Sequence, residues 1–289
     1  MLIDTHVHIV SDDQNQYPIH EMQVQGMRPS GVSPNWFREM PVTAEQLLET
    51  MDEAGVDRAV LVQAFSAYHY DNSYAATSAL RYPGRFISVG TADLLSEKGT
   101  EGLDYWIENR KMSGVRVVHL SPDDGLKKAR LDAPRTLPFW ERVASLGVPV
   151  CLAMESDAIS QLPSILLRFP KVRIALDHLA SPHVEDGPPY RAVQELLALS
   201  EFPNLYLKFS NVNLDALNLG GGSPKEFFGT LVDGFGARRL MWGSNFPATH
   251  NRSYEELVEV ARESLCFLSD DEQAWAFGWT ALSLWPNLG

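Results

Sequence analysis

The chain has little cysteine, with Cys151 and Cys266 as its two thiols in 289 residues, and it has no long apolar run. Two thiols are too few for a disulfide framework, so both are expected to be buried and free in a reducing compartment. No apolar run approaches the ~20 residues that a membrane span needs. The first strand-like run begins at residue 2, which leaves no room for a signal peptide. We therefore expect a cytoplasmic protein without a membrane partner.

Positive charge is also scarce. Lys and Arg number 24 against 37 Asp and Glu, for a net charge of −13. This balance argues against nucleic acid as a partner, because such proteins neutralise phosphates with clustered Lys and Arg. A small anionic substrate would need a local group of Arg, Lys or His to offset the negative background. The oligomeric state stays open, with a homo-oligomer among the options.

Eight short β-branched apolar runs alternate with helical patterns, an order typical of parallel α/β proteins. The runs are Leu2–His8, Arg58–Gln63, Arg85–Thr91, Gly114–His119, Val148–Ala153, Val172–His178, Asn204–Ser210 and Arg239–Asn245. Eight such units close naturally into a (β/α)8 barrel, the TIM-barrel fold. An open doubly wound sheet is the alternative, but the glycine-rich phosphate turn expected after its first strand is missing. We predict one barrel domain over residues 1–289.

Two segments exceed the minimal repeat. Ile9–Pro41 is a long connection between strand 1 and helix 1, and long loops at the carboxyl ends of barrel strands are usually functional. Ser269–Trp285 is predicted to form an extra C-terminal helix packed on the outside of the barrel. Helix boundaries are well marked elsewhere. Thr43 and Gln46 fit a capping box, and Gly55 ends the helix that follows.

The first run places several chemically active side chains together. Residues two apart on a strand share a face, so Asp4, His6 and His8 are expected to point the same way. At the end of a first barrel strand, the two imidazoles can bind a metal or a substrate oxyanion. His178 is expected to end strand 6, and Asn245 strand 8, at the same rim. Alone, each has a structural alternative: a satisfied core histidine for His178 and a turn residue for Asn245.

Several short motifs resemble the amidohydrolase-related family of lactonases, whose relatives include 2-pyrone-4,6-dicarboxylate lactonase and the sugar-acid lactonases. The motifs are Asp4-Thr5-His6-Val7-His8, Gly114-Val115-Arg116, Asp177-His178, Leu207-Lys208-Phe209-Ser210, Trp242-Gly243-Ser244 and Thr280-Ala281. The resemblance covers essentially the whole chain. It implies a barrel whose catalytic site consists of His6, His8, His178 and an acid on strand 8. At that last position this chain has Asn245.

The resemblance also implies how a substrate is held. Arg116 would pair with a substrate carboxylate or lactone oxygen, since its fork donates two parallel hydrogen bonds. Apart from the resemblance, Lys208 alternates with Ser210 toward the interior and is expected to add positive charge. The alternatives remain open: an internal ion pair for Arg116, and a buried pair with a neighbouring Asp or Glu for Lys208.

A metal requirement is harder to predict. Binuclear members of the superfamily and decarboxylating relatives use a histidine on strand 5, and Val148–Met154 contains none. The remaining ligands would be His6 and His8, with the amide of Asn245 a poor substitute for a carboxylate. We therefore expect no tightly bound cofactor, and at most one divalent ion such as Zn²⁺ held by His6 and His8.

The leading hypothesis is a hydrolase that opens a small carboxylated lactone in sugar-acid or aromatic catabolism. Asn245 can orient a water molecule but cannot deprotonate it, so activity is expected to be impaired or absent. Either an engineered Asp-to-Asn substitution or a natural Asn that marks a changed mechanism would explain this residue. Two alternatives are a metal-dependent decarboxylase of the same superfamily and a non-catalytic binding protein that keeps the pocket.

Overall fold

Eight parallel strands form the centre of the computed structural model, which describes residues 1–20, 33, 35–95, 97–119, 130–184 and 187–289. The strands are β1 (Ile3–Val7), β2 (Arg58–Val62), β3 (Phe86–Thr91), β4 (Gly114–His119), β5 (Val150–Met154), β6 (Ile174–Leu176), β7 (Leu205–Ser210) and β8 (Leu240–Gly243). Each pairs in parallel with the next along the chain. The predicted βα order and TIM-barrel fold are confirmed.

Helices connect the strands and cover their outer faces. The α-helices are α1 (Trp36–Glu39), α2 (Ala44–Glu53), α3 (Phe65–Tyr68), α4 (Ser73–Arg81), α5 (Glu97–Asp104), α6 (Leu137–Leu146), α7 (Leu162–Arg168), α8 (Arg191–Leu197), α9 (Asn211–Leu219), α10 (Pro224–Phe235), α11 (Tyr254–Ser264), α12 (Asp270–Ala274) and α13 (Thr280–Leu284). Two π-helical turns, Tyr105–Asn109 and Trp275–Trp279, continue α5 and α12. Single 3-10 turns are Pro134–Thr136, Ser156–Gln161, Asp177–Ala180, Ala198–Glu201, Ala237–Arg239 and Pro286–Leu288.

Local sequence signals define several of these helices. Thr43 caps α2 by accepting from the backbone N–H of Gln46, whose side chain accepts in return from the Thr43 N–H. Gly55, two residues beyond the end of α2, has a φ of 68°, a left-handed conformation that glycine adopts without steric cost. Both features agree with the sequence pattern.

The barrel closes between β1 and β8 through irregular contacts. The backbone N–H of Asn245 donates to the carbonyl of His6 at 2.8 Å, and that of His8 to Phe246 at 2.8 Å. Gly243 permits this approach, since a Cβ at that position would lie 2.5 Å from the Cβ of His6. Any other residue there would push β8 away from the histidine strand.

A β-bulge in β1 changes which side chains enter the barrel. Asp4 pairs with Ala59 and Val7 with Leu61, so three residues of β1 advance against two of β2. Beyond the extra residue, the side chains that would have faced into the barrel face outward, and those that would have faced outward face in. Val7 therefore packs in the outer apolar core, while Ile3 lies in the inner one. The expectation that Asp4 shares a face with His6 and His8 is thus wrong for Asp4, which lies on the outer face.

The C-terminal segment packs on the outside of the barrel through Ala276 and Phe277, as expected, but from Ala281 onward it closes the N-terminal end of the barrel, which was not expected. Ala281, Leu284, Trp285 and Leu288 join the apolar cluster of inward-facing strand residues. Hydrogen bonds tie the segment to strand starts: Arg58 donates to the Leu288 carbonyl, Arg173 to Ser283, and Asn287 to Ser113. Trp285, only 1% exposed, fills the N-terminal end of the barrel.

Two expectations from the composition concern membrane spans and cysteines. Within the described residues, no helix is both long and apolar enough to span a bilayer. Both cysteines are free, but Cys266 is exposed because it lies just beyond α11, so the expected burial holds for Cys151 alone.

Candidate active site

The predicted site residues meet at the carboxyl ends of the strands. Three strands, one turn and one segment carry them: β1 carries His6 and His8, β4 carries Arg116, and β7 carries Lys208. His178 lies in the turn after β6, and Asn245 in the segment after β8. All six are at most 8% exposed. The structure therefore brings together, in one buried cluster, residues that are up to 239 positions apart in the chain.

Three imidazoles form a row at this end. The ring of His6 lies 4.6 Å from that of His178 and 4.9 Å from that of His8, measured between centroids. His8 Nδ1 is 2.8 Å from the carbonyl oxygen of Val62, and His178 Nδ1 is 2.7 Å from Ser210 Oγ. His6 Nδ1 lies 3.5 Å from Asp177 Oδ1, and neither ring nitrogen of His6 has another hydrogen-bond partner among the described residues.

Burial keeps these imidazoles neutral. It lowers the pKa of His8 to about 3, with a further contribution from the Arg116 charge. It lowers the pKa of His178 to about 4, although neighbouring Asp177 opposes the shift. The pKa of His6 lies well below its ordinary value for the same reason. At neutral pH all three rings can therefore accept a proton or a hydrogen bond.

A left-handed turn places His178. Strand β6 ends at Leu176, and His178, Leu179, Ala180 and Ser181 all have positive φ between 48° and 59°. The prediction that the strand runs through His178 is wrong at this point. In a continuing strand Asp177 and His178 would face opposite sides. The turn instead lets Asp177 contact Lys208 while the adjacent His178 packs on His6.

Such a turn is unfavourable for residues with a Cβ, at roughly 1–2 kcal/mol per residue. Two hydrogen bonds to the carbonyl oxygen of His178 hold it. Ser181 donates its backbone N–H at 2.8 Å, and Asn213 donates through Nδ2 at 2.8 Å. No glycine or asparagine in the turn signals this conformation in the sequence.

Asp177 is the centre of a buried charge network that the sequence did not single out as functional. Arg116 Nε donates to its Oδ2 at 2.9 Å, and Lys208 Nζ lies 3.0 Å from its Oδ1. Burial would raise the pKa of Asp177, but the Lys208 charge, with His6 and Arg116, lowers it well below the ordinary value. Asp177 is therefore ionised. The signal available was a carboxylate directly after an apolar run.

The ion-pair alternatives considered for Arg116 and Lys208 thus describe real contacts. Lys208 is fully buried, 3.4 Å from Cys151 Sγ and 5.7 Å from the centroid of the Trp285 ring. Arg116 uses Nε, one of five N–H groups of a guanidinium, for Asp177. Two cations around one carboxylate leave the cluster with one net positive charge.

Asp4 positions the histidine strand from outside the barrel. Its Oδ1 accepts from the backbone N–H groups of His6 and Ser244, each at 2.9 Å. Its Oδ2 accepts from the Tyr254 hydroxyl on α11 at 3.0 Å. One carboxylate therefore links β1, β8 and a covering helix, in place of a regular strand ladder.

Asn245 stands two residues beyond β8 with a φ of 63°, which Asn tolerates better than most residues. Its Nδ2 donates to Thr249 Oγ1 at 3.0 Å. A hydroxyl can donate as well as accept, so the same contact would suit an Asp at this position. The structure thus holds Asn245 in a geometry that a carboxylate could also adopt.

Part of the long β1–α2 connection covers the site. Trp36 of α1 stacks on His8 with 5.3 Å between ring centroids and is 4% exposed. Trp36 also belongs to an apolar cluster with Val10, Tyr17 and Tyr68. The remainder of the predicted Ile9–Pro41 loop, at 21–32 and 34, lies outside the described residues.

A divalent cation fits this donor set poorly. Across the described ranges, no group of three or more His, Cys, Asp or Glu side chains is arranged to hold a metal ion. The carboxylate of Asp4 is occupied by three donors, and that of Asp177 by Arg116 and Lys208. A catalytic zinc usually has three protein ligands and an open position. His6 and His8 would supply two, and the absence of tight metal binding stays a prediction.

Comparison with known proteins agrees with this architecture. The Amidohydrolase family model matches residues 3–286. The L-fucono-1,5-lactonase of Burkholderia ambifaria is 26% identical over 250 residues, which cover 82% of each chain. A Pseudomonas putida structure, described provisionally as a 2-pyrone-4,6-dicarboxylic acid hydrolase, superposes with a TM-score of 0.76 at 22% identity, covering 99% of this chain and 97% of that one.

A more distant likeness shows how widely the fold is used. A dihydroxybenzoic acid decarboxylase from Polaromonas sp. JS666, with bound manganese and the inhibitor 2-nitroresorcinol, gives a TM-score of 0.67 at 16% identity. The match covers 99% of this chain and 96% of that one. At such identity the likeness concerns the fold alone, so function must be argued from the side chains of the site.

Proposed function

This chain belongs to the amidohydrolase family, and from that premise we propose that it is a hydrolase which opens a small carboxylated lactone by attack of water. The observation that carries the proposal is the buried cluster itself. Three neutral imidazoles lie beside Arg116 and Lys208, whose two charges exceed that of Asp177 by one. In a chain of net charge −13, such a local excess of positive charge favours an anionic ligand.

The relatives support the substrate class. The name of the Burkholderia ambifaria protein is that of a lactonase, and the name of the Pseudomonas putida structure is that of a hydrolase of a pyrone dicarboxylic acid. In our proposal Arg116 donates to the substrate carboxylate or lactone carbonyl while keeping Nε on Asp177. The positive charge of Arg116 and Lys208 stabilises the oxyanion that forms as water attacks.

Asn245 limits the rate. Its amide can hold the attacking water but cannot take a proton from it, and general base catalysis contributes about 10²–10⁴-fold. We therefore propose that this chain turns over slowly, in the manner expected of an Asp-to-Asn form.

Asn245→Asp tests both parts of the proposal. We expect it to raise the hydrolysis of a carboxylated lactone by about a hundredfold or more, the lower end for a general base. The substitution is nearly isosteric, and Thr249 can donate to the new carboxylate. The assay uses carboxylated and uncharged lactones, including 2-pyrone-4,6-dicarboxylate and L-fucono-1,5-lactone, with and without chelator.

Asn109→Asp is the matched control, because Asn109 is exposed at the end of the π-helical turn before β4 and is not part of the buried cluster, so it should add the same charge without a rate change. If neither the Asn245 chain nor the Asn245→Asp variant hydrolyses any of the lactones, the proposal is overturned. A rate lost on chelation would mean that the new carboxylate completes a metal site.

The amide at 245 also favours a second candidate, a binding protein that keeps the pocket without turnover. Calorimetry would then show a lactone or its hydroxy acid binding to both forms while neither hydrolyses it. A decarboxylase gains no comparable support, since β5 has no histidine.

A further inference from the structure

We propose that His178 is the general base of the reaction, and that Ser210 and Asn213 are positioning residues that hold it in the tautomer able to take a proton. The inference rests on the proposed lactone hydrolysis. It assigns to the imidazole on the left-handed turn the proton transfer that Asn245 cannot perform.

The orientation of Asn213 is determined by two backbone partners. Its Nδ2 donates to the carbonyl oxygen of His178 at 2.8 Å, and its Oδ1 accepts from the backbone N–H of Ser210 at 3.0 Å. A carbonyl only accepts and a backbone N–H only donates, so the amide cannot be flipped without losing both bonds. Its Oδ1 therefore faces Ser210, 3.4 Å from the hydroxyl oxygen.

This orientation sets the direction of the next hydrogen bond. Ser210 is fully buried, and its Oγ lies between Asn213 Oδ1 and His178 Nδ1, the latter at 2.7 Å. If Nδ1 carries the hydrogen, it donates to Oγ, and the hydroxyl donates onward to Oδ1, so both contacts are hydrogen bonds. In the opposite tautomer the hydroxyl donates to Nδ1, and two oxygen atoms face each other without a hydrogen between them. The arrangement thus favours Nδ1–H, with the lone pair on Nε2.

His8 has the same tautomer but is a poorer base. Its Nδ1 is 2.8 Å from the Val62 carbonyl oxygen, which only accepts, so its Nε2 also has the lone pair. Burial lowers the pKa of His8 to about 3 and that of His178 to about 4, while the Arg116 charge lowers and the Asp177 charge raises both values. Trp36 also stacks on the ring of His8. His178 is therefore the better acceptor of the two.

The reaction balances around this nitrogen. As the water oxygen bonds to the lactone carbonyl carbon, Nε2 of His178 takes a proton from the water, and the carbonyl electrons move to the oxygen. When the carbonyl re-forms, the bond to the ring oxygen breaks and that oxygen takes the proton from Nε2. The product is the open-chain hydroxy acid, and His178 is neutral again.

A double substitution tests the base role. His178→Gln should reduce hydrolysis by about 10²-fold or more in the native chain, the scale of a lost general base. In the Asn245→Asp chain, where a carboxylate can take the proton, the loss should be at least tenfold smaller. Equal losses in the two chains would assign His178 to charge stabilisation and overturn the base role alone. Absence of hydrolysis in both would overturn the proposed function and the base role together.

Tautomers provide a measurement that needs no turnover. Nitrogen-15 NMR of histidine-labelled protein should show His178 protonated at Nδ1. Ser210→Ala should mix its tautomers and lower kcat with little change in KM, while Ser210→Thr, which keeps the hydroxyl, should restore both. A native His178 protonated at Nε2 would overturn the inference even if the lactonase proposal stands.

Discussion

The two ends of the barrel are built by different means. At the N-terminal end the C-terminal segment supplies Leu284, Trp285 and Leu288 to a mainly apolar layer. At the carboxyl end, buried ionised groups, neutral imidazoles and a left-handed turn lie together. Lys208 joins the two, with Asp177 on one side and the Trp285 ring on the other.

The difference shows where stability comes from and where it is lost. Apolar burial is worth about 25 cal/mol per Å² and needs no partner of a particular charge. The carboxyl end depends on a few specific contacts, because a buried charge or a strained turn is tolerated only while its partners are in place. We therefore expect substitutions and pH to act mainly at the carboxyl end.

Acid should produce the largest effect. The pKa of His8 in the folded chain is about 3 and that of His178 about 4, against 6.5 as the ordinary value. Between these limits the unfolded chain binds protons that the folded chain does not. The unfolding free energy is therefore highest above pH 6.5 and should fall by about 1.4 kcal/mol per pH unit for each histidine as pH drops toward 4. Urea unfolding at pH 7, 5.5 and 4.5 measures this slope.

Single substitutions identify which histidines cause this pH dependence of the unfolding free energy. His8→Gln and His178→Gln should each reduce it by the contribution of one group. His183→Gln, at an exposed histidine, should leave it unchanged. If His8→Gln keeps the native slope, the acid sensitivity lies outside this end of the barrel.

Lys208→Met should have the second-largest effect on the unfolding free energy. It leaves Asp177 fully buried with one cation fewer, and breaking a buried pair costs about 3–5 kcal/mol. Arg81→Met is the matched control, since the Arg81–Glu45 pair is 67% and 45% exposed and such pairs contribute about 0–1 kcal/mol. Equal losses of unfolding free energy in the two variants would contradict the importance given to the charge network.

Arg116→Met should have the smallest effect, and it separates binding from stability. If Arg116 donates to an anionic substrate group, calorimetry should show binding weakened by about 1.5–3 kcal/mol, the range for hydrogen bonds to charged groups. Asp177 keeps Lys208 as a partner, so the fold should survive. If the variant is less stable but each folded molecule binds the substrate as tightly as before, Arg116 serves only in the ion pair with Asp177.

The site could be predicted in part, and the reasons are local. His6, His8, His178 and Asn245 follow runs whose apolar character marks them as strands, and parallel strands end at one face. Sequence patterns did not reveal how Asp4 and Asp177 act. Asp4 leaves the histidine face through a bulge set by pairing with β2, and Asp177 gains its role from Arg116 and Lys208, which are distant in sequence.

By itself, the sequence determined the order of strands and helices, the cap at Thr43, and the residue types at the rim, because periodicity and capping depend on neighbours within a few positions. Only the tertiary structure decided which faces those residues occupy. The bulge in β1, the left-handed turn at His178 and the closure of the barrel by Trp285 each depend on contacts between segments far apart in the chain. Those contacts offset the local conformational cost, and no local pattern records them.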